Sequence, residues 1–244
     1  MATRKRADLL LVERGLFESR ARAQAAIAAG GVTANGLAVR KPSDELPLDA
    51  ELRAEPDHPW ASRGGLKLAA ALDRFPFDPN GRVCLDVGAS TGGFTDVLLA
   101  RGARRVYAVD VGRSQLHARL RGDARVVSLE QTDIRTLDAA TLTERPDLAV
   151  IDVSFISLAL VLPALDALLS APAELVALIK PQFEAGRQHL KKGIVRDAAV
   201  HDAVCRDVAA HVASRGWTVA GIVASPVAGG DGNKEFLLGA RRGD

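Results

Sequence analysis

The fold is decided by residues 83–94, Val83-Cys84-Leu85-Asp86-Val87-Gly88-Ala89-Ser90-Thr91-Gly92-Gly93-Phe94. A short apolar run ends in an acid, a glycine-rich turn follows, and a helical stretch comes next. This order is typical of a buried parallel strand that leads into a crossover helix. Gly88 predicts a sharp turn, while Gly92 and Gly93 predict close approach of a ligand and of the next helix to the backbone. We therefore expect a ligand loop at the carboxyl end of the first strand of an open α/β sheet.

The glycine spacing of this loop narrows the choice of ligand. It is not G-x-G-x-x-G, so a dinucleotide pyrophosphate fits poorly, and it is not G-x-x-x-x-G-K-[ST], so a nucleoside triphosphate fits worse. A strand-end acid beside a glycine turn without a phosphate signature suits a ligand with hydroxyls and a positive charge. S-adenosylmethionine is such a ligand. The alternative is a loop that only turns the chain, because short glycine motifs are weak evidence.

From Ser62 onward, the sequence alternates between predicted strands and helices. Ser62 is the expected N-cap of a helix that carries Lys67. Strands are predicted at 83–87, 105–110, 125–129, 147–152, 174–179, 217–223 and 234–239. Such alternation predicts a doubly wound, mostly parallel sheet, a Rossmann-like α/β domain over residues 62–244.

Composition is that of an ordinary globular protein, with 48% hydrophobic and 25% charged residues among 244 and a net charge of +2. Cys84 and Cys205 are isolated and the five histidines lack ligand spacing, so we expect free thiols in a reducing compartment and no metal. The start of the chain shows no secretory signal. The most apolar stretch, residues 155–169, is shorter than the roughly 20 residues that span a bilayer. We expect a soluble, cytoplasmic protein.

Residues 1–55 are predicted to form a small α+β domain. One short helix ends near Gly15, Ser19 is the expected N-cap of a second helix over 20–29, and Asn35-Gly36 predicts a type I′ hairpin turn. Residues 1–43 carry eight Lys or Arg against three acids, a net charge of +5. Prolines and a mixed composition mark residues 56–61 as a linker. Its Trp60 could anchor both domains together or pack under the second alone.

The first domain resembles the S-four-type (alpha-L) RNA-binding module. The resemblance rests on Arg6-x-Asp8-x-x-Leu11, Ser19-Arg20-x-x-Ala23 and the later V-x-x-N-G-x-x-V. It implies recognition of a folded RNA by shape and phosphate contacts; a solvated basic surface is the alternative. The cations expected to contact RNA are Arg4, Arg6, Arg20, Arg22, Lys41 and Arg63, together with Arg187, Lys191 and Lys192 on a basic loop over 182–196.

Acids and lysines follow the predicted strands of the second domain. Asp110, about 20 residues beyond the glycine loop, is placed to accept both ribose hydroxyls of a nucleoside, and Asp133 could accept from an adenine amino group. Either acid could also belong to an ordinary strand-terminal turn. Asp152 and Lys180 end two further strands, where ligands gather in parallel sheets. The residues predicted to hold the cofactor are Asp86, Gly88, Ser90, Thr91, Gly92, Gly93, Phe94, Asp110 and Asp133.

The second domain is similar to ribose 2′-O-methyltransferases of the FtsJ type, whose catalytic tetrad runs Lys-Asp-Lys-Glu in chain order. The matching residues are Lys67, Asp152, Lys180 and Glu235, the last expected to begin the final strand. With the first domain attached, the chain resembles the TlyA ("haemolysin A") family on five motifs: Ser62-Arg63-Gly64-Gly65-x-Lys67-Leu68, the glycine loop, Asp152-Val153-Ser154-Phe155-Ile156-Ser157, Lys180-Pro181-Gln182-Phe183-Glu184 and Gly232-Asn233-x-Glu235. This resemblance implies S-adenosylmethionine-dependent methylation of cytidine 2′-hydroxyls in small- and large-subunit ribosomal RNA.

The motif after the fourth strand independently favours a hydroxyl as the target. No Pro-Pro-aromatic run follows Asp152, as amino-group methylation of bases usually requires, and no cysteine there could attack a pyrimidine. A ribose hydroxyl must be aimed at the methyl group and lose its proton. Lys180 could accept that proton or orient the oxygen lone pair, and both roles stay open. The competing functions are a membrane-active haemolysin and a non-catalytic RNA-binding assembly factor. The target nucleotides and the oligomeric state also stay open.

Overall fold

The computed structural model describes residues 3–229 and 232–243. The chain divides into two compact units, Met1–Pro59 and Trp60–Asp244. The sequence also predicts a turn over residues 229–233 before the last strand, and residues 230 and 231 of this turn lie outside the described residues.

The first unit contains two helices and two small sheets. Its elements are β1 (Arg4–Arg6), α1 (Ala7–Glu13), α2 (Arg20–Ala28), β2 (Val32–Ala34), β3 (Leu37–Ala38), β4 (Glu45–Pro47) and β5 (Leu52–Ala54). One sheet pairs β1 with β4 and the other has the order β3-β2-β5. Both helices bury one apolar side, with Leu11 and Ile27 at the centre of the core.

Local predictions in this unit are confirmed. Ser19 caps α2, its side chain accepting a hydrogen bond from the backbone N–H of Arg22 at 3.3 Å. Asn35 and Gly36 both have positive φ, 51° and 77°, as a type I′ turn between β2 and β3 requires. The sequence did not predict β1, β4 and β5.

The second unit is a seven-stranded sheet between two layers of helices. Its elements are α3 (Gly64–Arg74), β6 (Val83–Val87), α4 (Gly93–Ala100), β7 (Arg105–Val109), α5 (Ala118–Arg121), β8 (Val126–Leu129), β9 (Leu148–Ile151), α6 (Leu158–Leu168), β10 (Ala173–Ile179), α7 (Pro181–Glu184), α8 (Ala198–Ser214), β11 (Thr218–Ala224) and β12 (Phe236–Arg242). The strand order is β11-β12-β10-β9-β6-β7-β8. Strands β6 to β10 pair in parallel, and β12 runs antiparallel between β10 and β11.

Alternate residues of the central strands supply two separate cores. Leu85 and Val87 pack on the side of α6 and α8, whereas Cys84 packs with α3 and α4. Two-sided burial explains why these strands are continuous apolar runs. The mostly parallel α/β fold and all seven strands are confirmed. Trp60 packs against the core on the α3 side, directly over Gly65.

Two details at the ends of elements were predicted wrongly. Ser62 is not the N-cap of α3; Arg63 is, and the Ser62 side chain instead lies against Gly93 at the start of α4. Glu235 does not begin the last strand, because β12 starts at Phe236. Lys234 and Glu235, predicted as the first residues of this strand, lie outside it, and the Gly229 N–H donates to the Asn233 carbonyl at 2.9 Å.

Candidate active site

Four charged side chains from distant parts of the sequence lie at one edge of the sheet. Asp152 follows β9 and Lys180 follows β10, and these parallel strands are neighbours. Glu235 precedes β12, whose first residue pairs with the last residue of β10, so it lies at the same edge. Lys67 reaches this edge from α3. The topology thus assembles the carboxyl ends of two strands, the start of a third and one helix.

These four side chains form two close ion pairs. Lys180 Nζ lies 2.6 Å from Asp152 Oδ1 and donates a hydrogen bond to Ser154 Oγ at 2.8 Å. Lys67 Nζ donates to Glu235 Oε2 at 2.6 Å. Lys67 and Lys180 are only 8% and 9% exposed, and Glu235 is 2% exposed. Buried charges require such partners, because an unpaired ion loses its hydration without compensation.

A cavity of about 350 Å³ opens over these pairs; we call it the lysine cavity. Lys67, Asp152 and Lys180 line it, and Glu235 lies behind Lys67. The other walls are the start of α3, the glycine loop and the backbone of residues 227–229. Arg63, the exposed N-cap of α3, adds a third cation to the lining.

A larger cavity of about 830 Å³, which we call the strand-end cavity, lies beside it. Its walls carry the acids that follow β7 and β8, Asp110 and Asp133, together with apolar side chains from several strand ends. The two cavities share four residues of their walls, which are Gly88, Ser90, Asp152 and Ser154. A ligand in the larger cavity would therefore touch the same aspartate that holds Lys180.

The two acids of the strand-end cavity already hold local partners. Asp110 accepts hydrogen bonds from the backbone N–H groups of Ser90 at 2.8 Å and Gly112 at 2.6 Å, which ties the glycine loop to the end of β7. Asp133 is paired with Arg135 at 2.5 Å, and this guanidinium holds the pKa of the carboxyl below its usual range. Both carboxylates keep lone pairs that could accept from a ligand.

The glycines of the loop allow the protein's own backbone to approach. A Cβ at Gly88 would lie 2.4 Å from the Asp152 carbonyl oxygen, so this glycine lets β6 and β9 end side by side. A Cβ at Gly93 would lie 2.3 Å from Ser62 Oγ, and one at Gly92 would strike Leu120. Gly92 and Gly93 were predicted to allow close approach of a ligand and of the next helix. The described structure shows close approach of protein elements at both glycines.

Two other loop residues predicted to hold the cofactor face inward. Asp86 is fully buried, accepts a hydrogen bond from Thr95 Oγ1 at 2.6 Å and lines neither cavity. Burial raises the pKa of Asp86 to about 7. Phe94 is buried with one edge at the lysine cavity, whereas Ser90 and Thr91 are exposed on its wall. Asp86 therefore supports the glycine loop from within the core, through its hydrogen bond with Thr95.

The cations predicted to contact RNA occupy separate places. In the first unit, Arg4, Arg20 and Lys41 are exposed and Arg6 is half-buried; Arg22 lies 3.4 Å from His58 Nε2. In the second unit, Arg63 joins the lysine cavity, while Arg187, Lys191 and Lys192 are exposed on the loop between α7 and α8.

Three residues of the site were not predicted from the sequence. Ser154 accepts the hydrogen bond from Lys180, and Glu184 accepts from Ser157 Oγ at 2.6 Å and from the Leu158 N–H at 2.8 Å. Glu184 thus fastens the loop after β9 to the segment after β10. Phe155 is 90% exposed at the rim of the strand-end cavity with a positive φ of 64°. The sequence did contain a signal for these residues, because all three lie within the motifs at residues 152–157 and 180–184.

Comparison with protein families follows the same division of the chain. Residues 60–242 match the model described as FtsJ-like methyltransferase, and residues 5–52 match the S4 domain. The chain belongs to the FtsJ-like methyltransferase family. The resemblances predicted for both domains are confirmed.

Relatives match over nearly the whole length. The chain is 46% identical over 244 residues to "16S/23S rRNA (cytidine-2'-O)-methyltransferase TlyA" of Mycobacterium tuberculosis, covering 99% of this chain and 91% of the relative. It is 48% identical over 239 residues to "Putative rRNA methyltransferase YqxC" of Bacillus subtilis, covering 96% and 85%. A solved structure named "Putative hemolysin from Streptococcus thermophilus" is 44% identical, with a TM-score of 0.78, covering 100% of this chain and 90% of that one.

The described residues contain no group of three or more His, Cys, Asp or Glu side chains arranged to hold a metal ion. Within the same residues, none of the helices combines the length and apolarity that crossing a bilayer requires.

Proposed function

We propose that this protein transfers a methyl group from S-adenosylmethionine to the 2′-hydroxyl of cytidines in ribosomal RNA of the small and large subunits. The observation that carries the proposal is the assembly of Lys67, Asp152, Lys180 and Glu235 as two ion pairs at one cavity, beside a larger cavity with two acids. The names of the relatives supply the ribosomal substrate and the cytidine. Because ribosomal RNA is the proposed substrate, we propose that the reaction takes place in the cytoplasm.

The strand-end cavity fits the proposed cofactor in chemistry. Asp110 and Asp133 offer carboxylate oxygens to hydroxyl and amino donors, and the apolar side chains of Val109 and Ile134 offer contact to a flat ring. The shared wall at Asp152 joins this cavity to the lysines. When bound, S-adenosylmethionine supplies an electrophilic methyl group on a sulfonium.

Lys180 is the residue we assign to the ribose hydroxyl. An ammonium has three N–H donors; Lys180 Nζ donates one of them to Ser154 Oγ and is ion-paired with Asp152 Oδ1. Lys180 also lines the lysine cavity, where its ammonium can donate to the hydroxyl oxygen and orient it; Nζ receives the hydroxyl proton only in the neutral amine form, which has a free lone pair. Holding that oxygen in line with the methyl group supplies the orientation that a weak nucleophile needs.

The second ion pair supports this arrangement and the RNA. Glu235 holds Lys67 at 2.6 Å. With Arg63 beside it, Lys67 gives the cavity a positive lining that suits the phosphate next to the target ribose. The S4 domain supplies further phosphate contacts through its arginines and Lys41.

The experiment uses tritiated S-adenosylmethionine and purified ribosomal subunits that lack the modification. Wild type and Lys180→Met are compared for methyl transfer, with cofactor binding measured in both by calorimetry. Lys234→Met is the matched control, because Lys234 is an exposed lysine whose recorded contact is with the Phe236 ring. The labelled RNA is digested and the methylated nucleoside identified by mass spectrometry.

We expect 2′-O-methylcytidine from wild type and Lys234→Met, and a loss of at least about 100-fold in rate for Lys180→Met with cofactor binding retained. A base-methylated nucleoside, or full activity of Lys180→Met, would overturn the proposal. Cofactor binding without transfer to any ribosomal RNA would favour the assembly-factor function. Dye release from liposomes tests the haemolysin function that the name of the Streptococcus relative suggests.

A further inference from the structure

Two arginines of the first unit share one buried carboxylate. Asp8, in the first turn of α1, is 0% exposed. Arg6 donates to it from Nε and Nη2, both at 3.0 Å, one to each carboxylate oxygen. Arg20 donates to Oδ2 from Nη2 at 3.0 Å and from Nε at 3.3 Å. Gln24 donates to the same oxygen at 2.8 Å.

The arginines reach this carboxylate from different elements and stay accessible to solvent. Arg6 ends β1 and Arg20 begins α2, and their side chains are 39% and 54% exposed. A guanidinium has five N–H donors, and Asp8 takes two from each arginine, so three on each are not used by Asp8. Because both bind Oδ2, the acid sets the separation of the two guanidiniums.

A single negative charge between two positive ones has a clear physical effect. The hydrogen bond from Arg6 holds the pKa of the Asp8 carboxyl well below its usual range, so the charge persists at all physiological pH values. Without it, the two guanidiniums would repel each other and sample many rotamers. Freezing a long side chain on binding costs conformational entropy, so side chains that are already held in place bind phosphate at a lower cost.

We propose that Asp8 is the positioning residue of a two-arginine clamp for RNA phosphates, formed by Arg6 and Arg20. The inference rests on the proposed RNA substrate, and it predicts an effect of charge removal on RNA affinity that is opposite to the usual one. Removing a negative charge from an RNA-binding protein normally strengthens binding, since phosphate contacts are electrostatic. Removing Asp8 should weaken binding, because it releases the clamp.

The test measures binding of the full-length protein to fluorescein-labelled ribosomal RNA, transcribed in vitro, by anisotropy at several salt concentrations. Asp8→Asn is compared with wild type and with Asp49→Asn, a charge-matched change at an exposed acid of the same unit. We expect Asp8→Asn to raise Kd roughly tenfold and to flatten the salt dependence by about one unit of slope. Asp49→Asn should bind as tightly as wild type or more tightly.

Two further variants separate positioning from folding. In an Arg6→Gln/Arg20→Gln background, Asp8→Asn should have little additional effect on Kd, because the residues it acts through are gone. Arg6→Lys/Arg20→Lys keeps Asp8 and the net charge but replaces each forked guanidinium with a single ammonium. It should also weaken RNA binding roughly tenfold.

The inference is overturned if Asp8→Asn binds RNA as tightly as wild type, if its effect is as large in the Gln background, or if the double lysine variant binds like wild type. If wild type itself does not bind ribosomal RNA, the proposed function fails first, and the result is distinct from all three.

Discussion

The buried acid beneath the glycine loop makes stability depend on pH in an unusual direction. Asp86 is fully buried with its pKa raised to about 7, against an ordinary value of 3.8. Between these values the unfolded chain has lost the proton and the folded protein keeps it. Because the folded state binds more protons there, stability falls as pH rises, and the loss is complete above about pH 7.

The size of the effect follows from the same two values. The difference corresponds to about 4 kcal/mol over the whole range, of which about 2–3 kcal/mol is lost between pH 5 and pH 8. Asp86→Asn keeps the shape and an acceptor for Thr95 but has no proton to lose. We therefore expect the variant to gain about 2–3 kcal/mol relative to wild type between pH 5 and pH 8.

Urea unfolding at 25 °C and at pH 5, 6, 7 and 8 measures this difference, because groups that titrate alike in both proteins cancel. Asp73→Asn, at an exposed carboxylate on α3, gives the baseline for removing one negative charge. The reasoning is refuted if the difference between wild type and Asp86→Asn is constant within about 0.5 kcal/mol across this range. A difference that moves in favour of wild type as pH rises would refute it as well.

The remaining predictions concern the ion pairs and the loops around them. Lys67→Met removes the cation that pairs with the buried Glu235 carboxylate, so we expect the melting temperature to fall by about 10 °C. Most of this loss should be recovered in Lys67→Met/Glu235→Gln, and calorimetry measures both. Ser154→Ala removes the hydroxyl that holds the Lys180 ammonium, so kcat should fall about tenfold while cofactor affinity is kept. Steady-state kinetics would show this, and Ser154→Thr should restore most of the lost kcat. Glu184→Gln weakens two hydrogen bonds between loops and should cost about 1–3 kcal/mol in urea unfolding.

Each of these has an outcome that contradicts it. Equal melting temperatures for Lys67→Met and wild type would mean that the pair is not buried in solution. Unchanged kcat in Ser154→Ala, with Ser214→Ala as the exposed serine control, would remove the orienting role of the hydroxyl. Full stability of Glu184→Gln would show that the loops hold together without the charge.

The elements of the second unit could be predicted from the sequence because each signal is local. An apolar run such as 83–87 is buried on both faces and ends in an acid and a glycine turn, so its limits are visible in the residues. The strands β1, β4 and β5 were missed because each has three residues and is defined by backbone pairing with a distant partner. Three residues carry too little pattern to distinguish a strand from a loop.

The residues of the candidate site could be named in advance, but their pairing could not. Lys67 and Glu235 are 168 positions apart and meet because α3 packs against β12. Spacing could not place the Asp86 side chain either: a strand-end acid near a glycine turn predicts a ligand contact, and in the structure this side chain is fully buried beside Thr95. Which face of a short turn an acid occupies depends on the tertiary structure.

The wall shared by the two cavities has a thermodynamic consequence. Because Gly88, Ser90, Asp152 and Ser154 border both spaces, a molecule held in one changes the surface offered to a molecule in the other. Any such influence is reciprocal: if the cofactor tightens RNA binding by some factor, RNA tightens cofactor binding by the same factor. If the methyl group of the bound cofactor lies at this shared wall, the demethylated cofactor lacks that contact, and we expect it to support RNA binding less well. Release of the modified RNA and of the spent cofactor would then assist each other.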